Sequence, residues 1–331
     1  MKIQRREVLL GAVAAGFGAV ARAQTPPPAT VRPLPSGLPE PTETIDLWPG
    51  GAPGLPETPP VEEVVERSKD PELSDRFIRG ITQPRMVVFR PRVPNGAAVL
   101  LMPGGGYKWV VVDKEGYEMG RWLAARGFTV FVLFYRLPGD GWAAGPDVSL
   151  SDAQRAVRLI RNRAREFAVI PERVAALGFS AGGHLCADLA TRFDTSTYDS
   201  VDEADTVSAR PMLAAPIYPV ISMTLPVAHA GSRSLLIGED ASEDLERAHS
   251  PVNNVPANAP PVFLVHAEDD TSVVVENSLE FREALRAKDI PVEAHMFAHG
   301  GHGFGLRYTV GKPVSIWPEL FVNWAQSMGL T

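Results

Sequence analysis

The fold predicted for this chain is decided by one stretch, Arg173-Val174-Ala175-Ala176-Leu177-Gly178-Phe179-Ser180-Ala181-Gly182-Gly183-His184-Leu185-Cys186. Its first part is typical of a short buried strand, residues 178–182 fit the pattern G-x-S-x-G, and residues 181–192 have apolar residues at helical spacing. A strand, a sharp turn and a helix form the context in which this pattern exposes a strained serine. Side chains at the two flanking glycines would collide with the neighbouring strand and helix. The stretch therefore predicts a nucleophile elbow with Ser180 as the nucleophile, and a purely structural turn is the alternative.

The composition is that of a globular protein with a substantial core, since 45% of the 331 residues are hydrophobic and 21% are charged. An α/β fold of this length often forms one domain. The net charge of −7 becomes −10 without residues 1–23, which carry +3. This acidity argues against nucleic acid as a partner. Cys186 is the only cysteine, so no internal disulfide forms and we expect it to pack as a small hydrophobic residue.

The N-terminus has the features of an export signal. Arg5 and Arg6 precede an apolar run over residues 8–20, and Ala21-Arg22-Ala23 fits a cleavage site. Residues 1–23 are therefore predicted to be a twin-arginine-type signal peptide, which implies a periplasmic or secreted protein; an uncleaved anchor or a cytosolic tail is the alternative.

Twelve prolines over residues 24–60 predict an extended N-terminal segment that lays residues 45–48 on the domain. The catalytic domain is predicted over residues 61–331. Its first charged segment, residues 61–75, is expected to be partly helical.

Strands and helices alternate along the predicted domain, which favours an α/β fold with a mostly parallel sheet, helices on both faces and no large cap domain. Strands are predicted over residues 85–90, 99–102, 129–135, 174–177, 212–221, 261–266 and 292–297. Helices are predicted over residues 115–126, from 151 or 152 to before Pro171, and over 181–192, 275–288 and 317–328. Residues 194–205 are expected to form a polar surface insertion, and residues 222–259 to be irregular apart from a short helix over 242–249.

Several candidate catalytic residues directly follow predicted strands. They are the glycine loop 103–107, Ser180, the acids 268–270 and His302. Ligands of parallel sheets bind beyond the carboxyl ends of the strands, so we expect these residues to form one site.

A serine hydroxyl needs an adjacent base, and a histidine oriented by a carboxylate serves this purpose. In chains with this elbow the order is serine, acid, histidine. This chain has the same order: Ser180 comes first, the acids Glu268, Asp269 and Asp270 follow, and the glycine-flanked His302 comes last. Of the seven histidines, only His299 and His302 follow the last strand of the sheet; His302 is the predicted base and His299 the alternative.

The developing oxyanion needs hydrogen-bond donors. The N–H of Ala181 is one predicted donor, and those of Gly105 and Gly106 are the others, because a backbone without Cβ can approach the intermediate closely; a plain glycine turn is the alternative. Tyr107, Trp109 and Trp142 are candidate substrate contacts. The two tryptophans lie in loops, where they could stack on sugar rings or simply pack. No zinc-type cluster of Cys and His is present in the sequence, and neither a metal nor a cofactor is expected.

Four motifs carry a resemblance to a known family. They are Leu47-Trp48-Pro49…Ala52-Pro53-Gly54, Pro103-Gly104-Gly105-Gly106-Tyr107, Gly178-Phe179-Ser180-Ala181-Gly182-Gly183-His184 and His302-Gly303-Phe304-Gly305. From about residue 44 onward the chain resembles the α/β-hydrolase superfamily, and within it the bacterial acetylxylan-esterase-like carbohydrate esterases, often labelled xylanases or lipase-like esterases. The resemblance implies that Asp270 is the acid and that no cofactor is used. Val274 departs from the proline that the family often has there.

The resemblance implies a serine carboxylic-ester hydrolase that deacetylates acetylated xylan or other acetylated sugars through a Ser-His-Asp triad and an acyl-enzyme. A general short-chain carboxylesterase, a lipase-like enzyme or a peptidase on the same fold are alternatives, and an inactive binding module is a third class. The expected partner is an acetylated carbohydrate or a small ester. Neither nucleic acid nor a stable membrane association after signal cleavage is expected.

Overall fold

A computed structural model describes residues 36–331; the predicted signal peptide, with its paired arginines, and residues 24–35 of the predicted extension lie outside the described residues. The strands are β1 (Pro41–Asp46), β2 (Glu63–Glu66), β3 (Arg76–Arg79), β4 (Arg85–Phe89), β5 (Ala98–Met102), β6 (Val110–Val111), β7 (Thr129–Phe134), β8 (Val174–Phe179), β9 (Leu213–Ile217), β10 (Val262–Ala267) and β11 (Val292–Phe297). The helices are α1 (Glu118–Ala124), α2 (Val148–Asn162), α3 (Ala181–Arg192), α4 (Ala230–Ile237), α5 (Glu243–Ala248), α6 (Glu276–Arg286) and α7 (Trp317–Ser327).

The main sheet has eight strands in the order β1-β4-β7-β5-β8-β9-β10-β11. All neighbours from β7 to β11 are parallel, whereas β4 is antiparallel to both β1 and β7. Every residue of β5, β7, β8 and β10 is buried, in keeping with their largely apolar sequences. The mostly parallel sheet with interleaved helices confirms the predicted fold class.

The Pro-rich segment contributes the first strand of the main sheet. Residues 41–46, which the sequence analysis assigns to the extension, form β1 and pair with β4. Ile45, Leu47 and Trp48 are buried, as expected for a segment laid on the domain. The indole Nε1 of Trp48 donates to Asp152 Oδ1 on α2 at 2.7 Å, which fixes the end of this segment. An edge strand tolerates the nearby prolines because one side of it makes no ladder hydrogen bonds.

The expected partial helix over residues 61–75 is wrong. Residues 63–66 form β2, which pairs with β3 in a separate three-stranded sheet of order β2-β3-β6. The adjacent β-branched pair Val64 and Val65 favours a strand, and pairing with β3 decides the outcome.

Two further segments differ from their predicted helical structure. Residues 222–259 contain α4 as well as α5. Helix α4 was not predicted because its N-cap is His229, whose ring accepts the N–H of Ser232, rather than a common capping residue. The helix expected over 115–126 is a π-helical turn, Asp113–Tyr117, followed by α1.

The expected surface insertion covers α2. Arg155 on α2 is fully buried and pairs with Asp202 at 2.5 Å and Asp205 at 3.0 Å. On the same helix Asp152 forms a buried ion pair with Arg136 at 2.8 Å. These contacts anchor the insertion and the loop after β7. Within residues 36–331, no helix has the length and apolar character needed to cross a bilayer.

Candidate active site

The serine at the end of β8 has the backbone conformation of an elbow. Ser180 lies between β8 and α3 with φ 54° and ψ −117°, a region that non-glycine residues rarely adopt. A Cβ on Gly178 would lie 2.0 Å from the Gly182 oxygen, and one on Gly182 would lie 2.1 Å from the Met102 oxygen. Both flanking positions therefore require glycine, for the steric reason that the motif indicates.

The structure brings the three predicted triad residues into one hydrogen-bonded chain. Ser180 Oγ lies 2.8 Å from His302 Nε2, and His302 Nδ1 lies 2.7 Å from Asp270 Oδ2. The carboxylate partner assigns the proton to Nδ1, so that Nε2 is free to accept the serine proton. Ser180 keeps 9% of its surface exposed and the His302 side chain 23%, whereas the Asp270 side chain is completely buried. A substrate can therefore reach the serine and the histidine, but not the acid.

The Asp270 carboxylate is surrounded by donors. Its Oδ1 accepts the N–H groups of Ser272 and Val273, both at 2.9 Å, and His266 Nε2 lies 3.3 Å from Oδ2. Burial by itself would raise the pKa of Asp270, but hydrogen bonds from His266, His302 and the backbone hold this pKa well below its usual value. The carboxylate stays ionised and can stabilise an imidazolium. His266 was not predicted as part of the site; its position inside a buried strand, four residues before the acid, was the available signal.

The alternative acid and base residues lie outside this chain of hydrogen bonds. Asp269 Oδ1 accepts the N–H groups of Gly300 and Gly301 at 2.8 and 2.7 Å, so this side chain holds the backbone of the histidine loop. His299 is 77% exposed and lies 3.4 Å from Asp269 Oδ2. Glu268 is exposed to solvent.

The glycine loop after β5 supplies backbone donors beside Ser180. Gly105 has φ 136°, and a Cβ there would lie 2.0 Å from the Trp109 oxygen; Gly106 has φ 66°. Within the described residues, the N–H groups of Gly105, Gly106 and Ala181 donate to no protein acceptor. These backbone N–H groups lie at a helix N-terminus and in a tight turn. Because they have no protein acceptor, they can donate hydrogen bonds to a developing negative charge.

The structure corrects two of the three candidate substrate contacts. Trp142 is only 3% exposed and packs against Arg136, so it cannot form a platform for a sugar. Tyr107 is 2% exposed, and its hydroxyl is used inside the protein. Trp109 is partly exposed, and its ring stacks on Phe77 with 4.5 Å between ring centroids. Packing against other side chains therefore explains both tryptophans, which is the alternative stated above.

Buried polar residues behind the site went unrecognised in the sequence. His184, one turn after Ser180 on α3, accepts the Tyr107 hydroxyl at Nδ1 (2.7 Å) and donates from Nε2 to the His249 oxygen (2.8 Å). His184 was excluded as the base because it precedes the last strand, and no supporting role was predicted for it. Its position four residues after the nucleophile, beneath the glycine loop, was the signal for this supporting role.

The site uses ordinary side chains and backbone amides. Among the residues that the structure describes, no group of three or more His, Cys, Asp or Glu side chains is arranged to hold a metal ion. Cys186 is buried on α3, and burial raises the pKa of its thiol to about 12.

The chain is similar to proteins of one family. The BD-FAE family model matches residues 89–285, which include β5, the elbow and the acid. Over 227 residues the chain is 34% identical to an acetylxylan esterase from Xylanibacter ruminicola, covering 67% of this chain and 44% of the relative. It is 36% identical over 205 residues to endo-1,4-beta-xylanase B from Butyrivibrio fibrisolvens, covering 62% of this chain and 32% of that protein. The chain thus spans less than half the length of either relative.

A solved structure matches nearly the whole described chain. It is that of an acetyl ester-xyloside bifunctional hydrolase from Caldicellulosiruptor lactoaceticus, with a TM-score of 0.71 and 34% sequence identity. The match covers 89% of this chain and 99% of that protein. The parallel sheet, the elbow, the family match and this neighbour agree with one another. The chain belongs to the BD-FAE family, an acetylxylan-esterase-like group within the α/β-hydrolase superfamily.

Proposed function

We propose that this protein is a serine esterase that removes acetyl groups from acetylated xylan or xylo-oligosaccharides through an acyl-enzyme. The observation that carries the proposal is the hydrogen-bonded chain Ser180–His302–Asp270, with separations of 2.8 and 2.7 Å, beside unused backbone donors. This combination of nucleophile, base, orienting acid and oxyanion donors is what acyl transfer requires.

In the acylation step, Ser180 Oγ attacks the ester carbonyl carbon and His302 Nε2 takes the serine proton. The carbonyl oxygen becomes an oxyanion that the N–H groups of Gly105, Gly106 and Ala181 stabilise. The tetrahedral intermediate then collapses. The bond to the sugar oxygen breaks, His302 returns the proton to that oxygen, and the acetyl group stays on Ser180.

In the deacylation step, a water molecule replaces the sugar. His302 Nε2 takes a proton from the water, whose oxygen attacks the acetyl carbon. The second intermediate collapses, Ser180 regains its proton from His302, and acetate leaves. The ionised Asp270 stabilises the imidazolium in both steps, because its low pKa keeps its charge throughout the neutral pH range.

The carbohydrate part of the proposal is supported by two observations. The similar proteins named above are called an acetylxylan esterase, an endo-1,4-beta-xylanase and an acetyl ester-xyloside bifunctional hydrolase. In addition, a cavity of about 370 Å³ lies at the Tyr107 end of the glycine loop, outside the triad itself, and its wall includes Lys108, Arg79, Glu63 and Asp140. Such a mixture of donors and acceptors suits sugar hydroxyl groups better than a fatty chain.

We also propose that the protein is exported. Arg5 and Arg6, the apolar run over residues 8–20 and the small residues before residue 24 support a twin-arginine signal. Export would bring the enzyme to the compartment that polysaccharide fragments enter.

Acetate release tests the proposed function. The purified protein is incubated with acetylated xylo-oligosaccharides, and kcat/KM is measured in parallel for p-nitrophenyl acetate, butyrate and octanoate. We expect acetate release from the sugar and a preference for the acetyl ester, since additional methylenes that remain unburied add no binding energy. A preference for octanoate, without acetate release from any acetylated sugar, would move the protein to the general carboxylesterases.

A further inference from the structure

The Glu115 carboxylate lies next to the start of the glycine loop. The residue is 3% exposed, and its Oε2 accepts the N–H of Gly104 at 2.8 Å. Gly104 directly precedes Gly105, whose N–H is a proposed oxyanion donor. A charged acceptor makes a short, strong hydrogen bond and therefore fixes the direction in which the loop leaves β5.

The other oxygen of the same carboxylate points to the histidine side of the site. Glu115 Oε1 accepts the hydroxyl of Tyr218 at 3.1 Å, and the Tyr218 oxygen accepts the N–H of Gly305 at 3.2 Å. The Tyr218 ring meets the His302 ring edge-on, with 5.2 Å between centroids. Burial, and then the charge of Glu115, raise the pKa of Tyr218 well above its usual value, so the phenol stays neutral and remains a donor.

The preceding residue balances the charge. Lys114 Nζ lies 3.7 Å from Glu115 Oε1. The Lys114 side chain also lies against the histidine loop, since a Cβ on Gly303 would come within 3.1 Å of Nζ and one on Gly305 within 3.2 Å of Cγ. Without this cation, a buried carboxylate near the oxyanion donors would oppose the negative charge that the reaction develops.

The backbone explains why two consecutive residues serve one site. Lys114 and Glu115 belong to the π-helical turn Asp113–Tyr117, and such turns often occur at functional sites. The neighbouring Asp113 on this turn pairs with Arg76 at 2.6 Å. Asp113 therefore offers a matched acidic residue whose ion pair is with β3 and not with the glycine or histidine loops.

We propose that Glu115 is a positioning residue that holds the oxyanion donors and His302 in register, through Gly104 on one side and Tyr218 on the other. The proposal rests on the proposed esterase function. It assigns a role in turnover to a carboxylate that makes no contact with the substrate.

The test compares Glu115→Gln, Tyr218→Phe, the double variant and Asp113→Asn, with p-nitrophenyl acetate as substrate. The glutamine keeps one acceptor for Gly104 but turns an amide donor toward Tyr218, so the Tyr218 hydroxyl loses its acceptor and the site loses the negative charge. We expect kcat to fall about 10- to 100-fold in Glu115→Gln with KM changed less than about threefold, because misplaced catalytic groups slow the chemical step. Tyr218→Phe should lower kcat about tenfold, and the double variant should lose less than the product of the two effects.

Asp113→Asn is the control for damage to the turn, and we expect it to lower the Tm while kcat stays within about twofold. A Glu115→Gln variant with unchanged kcat, or an Asp113→Asn variant that loses as much kcat, would overturn the proposal. If Glu115→Gln does not fold, an unchanged kcat in Tyr218→Phe overturns it and a reduced kcat supports it. A wild-type protein that hydrolyses neither p-nitrophenyl acetate nor any acetylated sugar would instead refute the esterase function itself, so the two failures are distinguishable.

Discussion

The Tyr107 hydroxyl donates to Nδ1 of His184 across 2.7 Å in a site closed to solvent. Tyr107 directly follows the proposed oxyanion donor Gly106, and His184 lies on the helix that begins with Ala181, the third proposed donor. This hydrogen bond therefore joins the two halves of the oxyanion site. It does not use the N–H groups of Gly105, Gly106 and Ala181, which remain without a protein acceptor among the described residues.

Tyr107→Phe should reduce both stability and turnover. The change leaves His184 Nδ1 without a donor in a dry site, which costs about 1–3 kcal/mol of unfolding free energy. We also expect kcat to fall about tenfold, because the glycine loop loses its connection to α3. Urea unfolding and kcat for p-nitrophenyl acetate measure the two effects. Tyr198→Phe is the control: it removes a hydroxyl that donates to Asp205 in the surface insertion, and should leave kcat unchanged. Equal kcat values in wild type and Tyr107→Phe would contradict this role.

His184 should make stability depend on pH. Burial lowers its pKa to about 4 from the usual 6.5, and the charge of Arg192 acts in the same direction. Between pH 4 and 6.5 the His184 ring binds a proton in the unfolded chain but stays neutral in the native state. The contribution of His184 to the free energy of unfolding is therefore complete above pH 6.5 and is lost as the pH falls toward 4. The loss amounts to about 3 kcal/mol. Unfolding free energies at pH 4.5 to 7 should therefore change less in His184→Gln than in wild type. The exposed His299→Gln should keep the wild-type slope, and a wild-type slope in His184→Gln would refute the assignment.

The two adjacent aspartates should differ in their effect on turnover. Asp270→Asn loses the charge that orients and stabilises the His302 imidazolium, so we expect kcat to fall about 10⁴-fold. Asp269→Asn keeps an acceptor oxygen for Gly300 and Gly301, and we expect kcat to stay within about tenfold. Steady-state kinetics of the two variants decide between the acids. A severely impaired Asp269→Asn beside an active Asp270→Asn would show that the acid is misassigned.

Local sequence patterns predicted the parts of the site that depend on neighbours in the chain. The elbow around Ser180 needs glycines at fixed spacing, and the glycine loop follows a strand that is apolar throughout; both signals lie within a few residues. The order of Ser180, Asp270 and His302 after successive strands follows from the parallel sheet, which aligns the carboxyl ends of its strands.

Local sequence patterns do not predict contacts between segments that are distant in the chain. Glu115 is one acidic residue in a segment predicted as a regular helix, and only the π-helical turn directs it to Gly104 and Tyr218. The strand at residues 41–46 lies in a Pro-rich segment and is defined by pairing with β4. Burial of Trp142 likewise depends on Arg136, and a loop position alone does not reveal it.

Covalent labelling of Ser180 tests the central claim most directly. A fluorophosphonate is added to the purified protein, and the modified peptide is identified by mass spectrometry. We predict one labelled serine, Ser180, and a loss of turnover in step with labelling. Ser180→Ala should stay folded, remain unlabelled and lose about 10⁴-fold or more in kcat. A label on another serine, or a Ser180→Ala variant that still hydrolyses p-nitrophenyl acetate at the wild-type rate, would contradict the account.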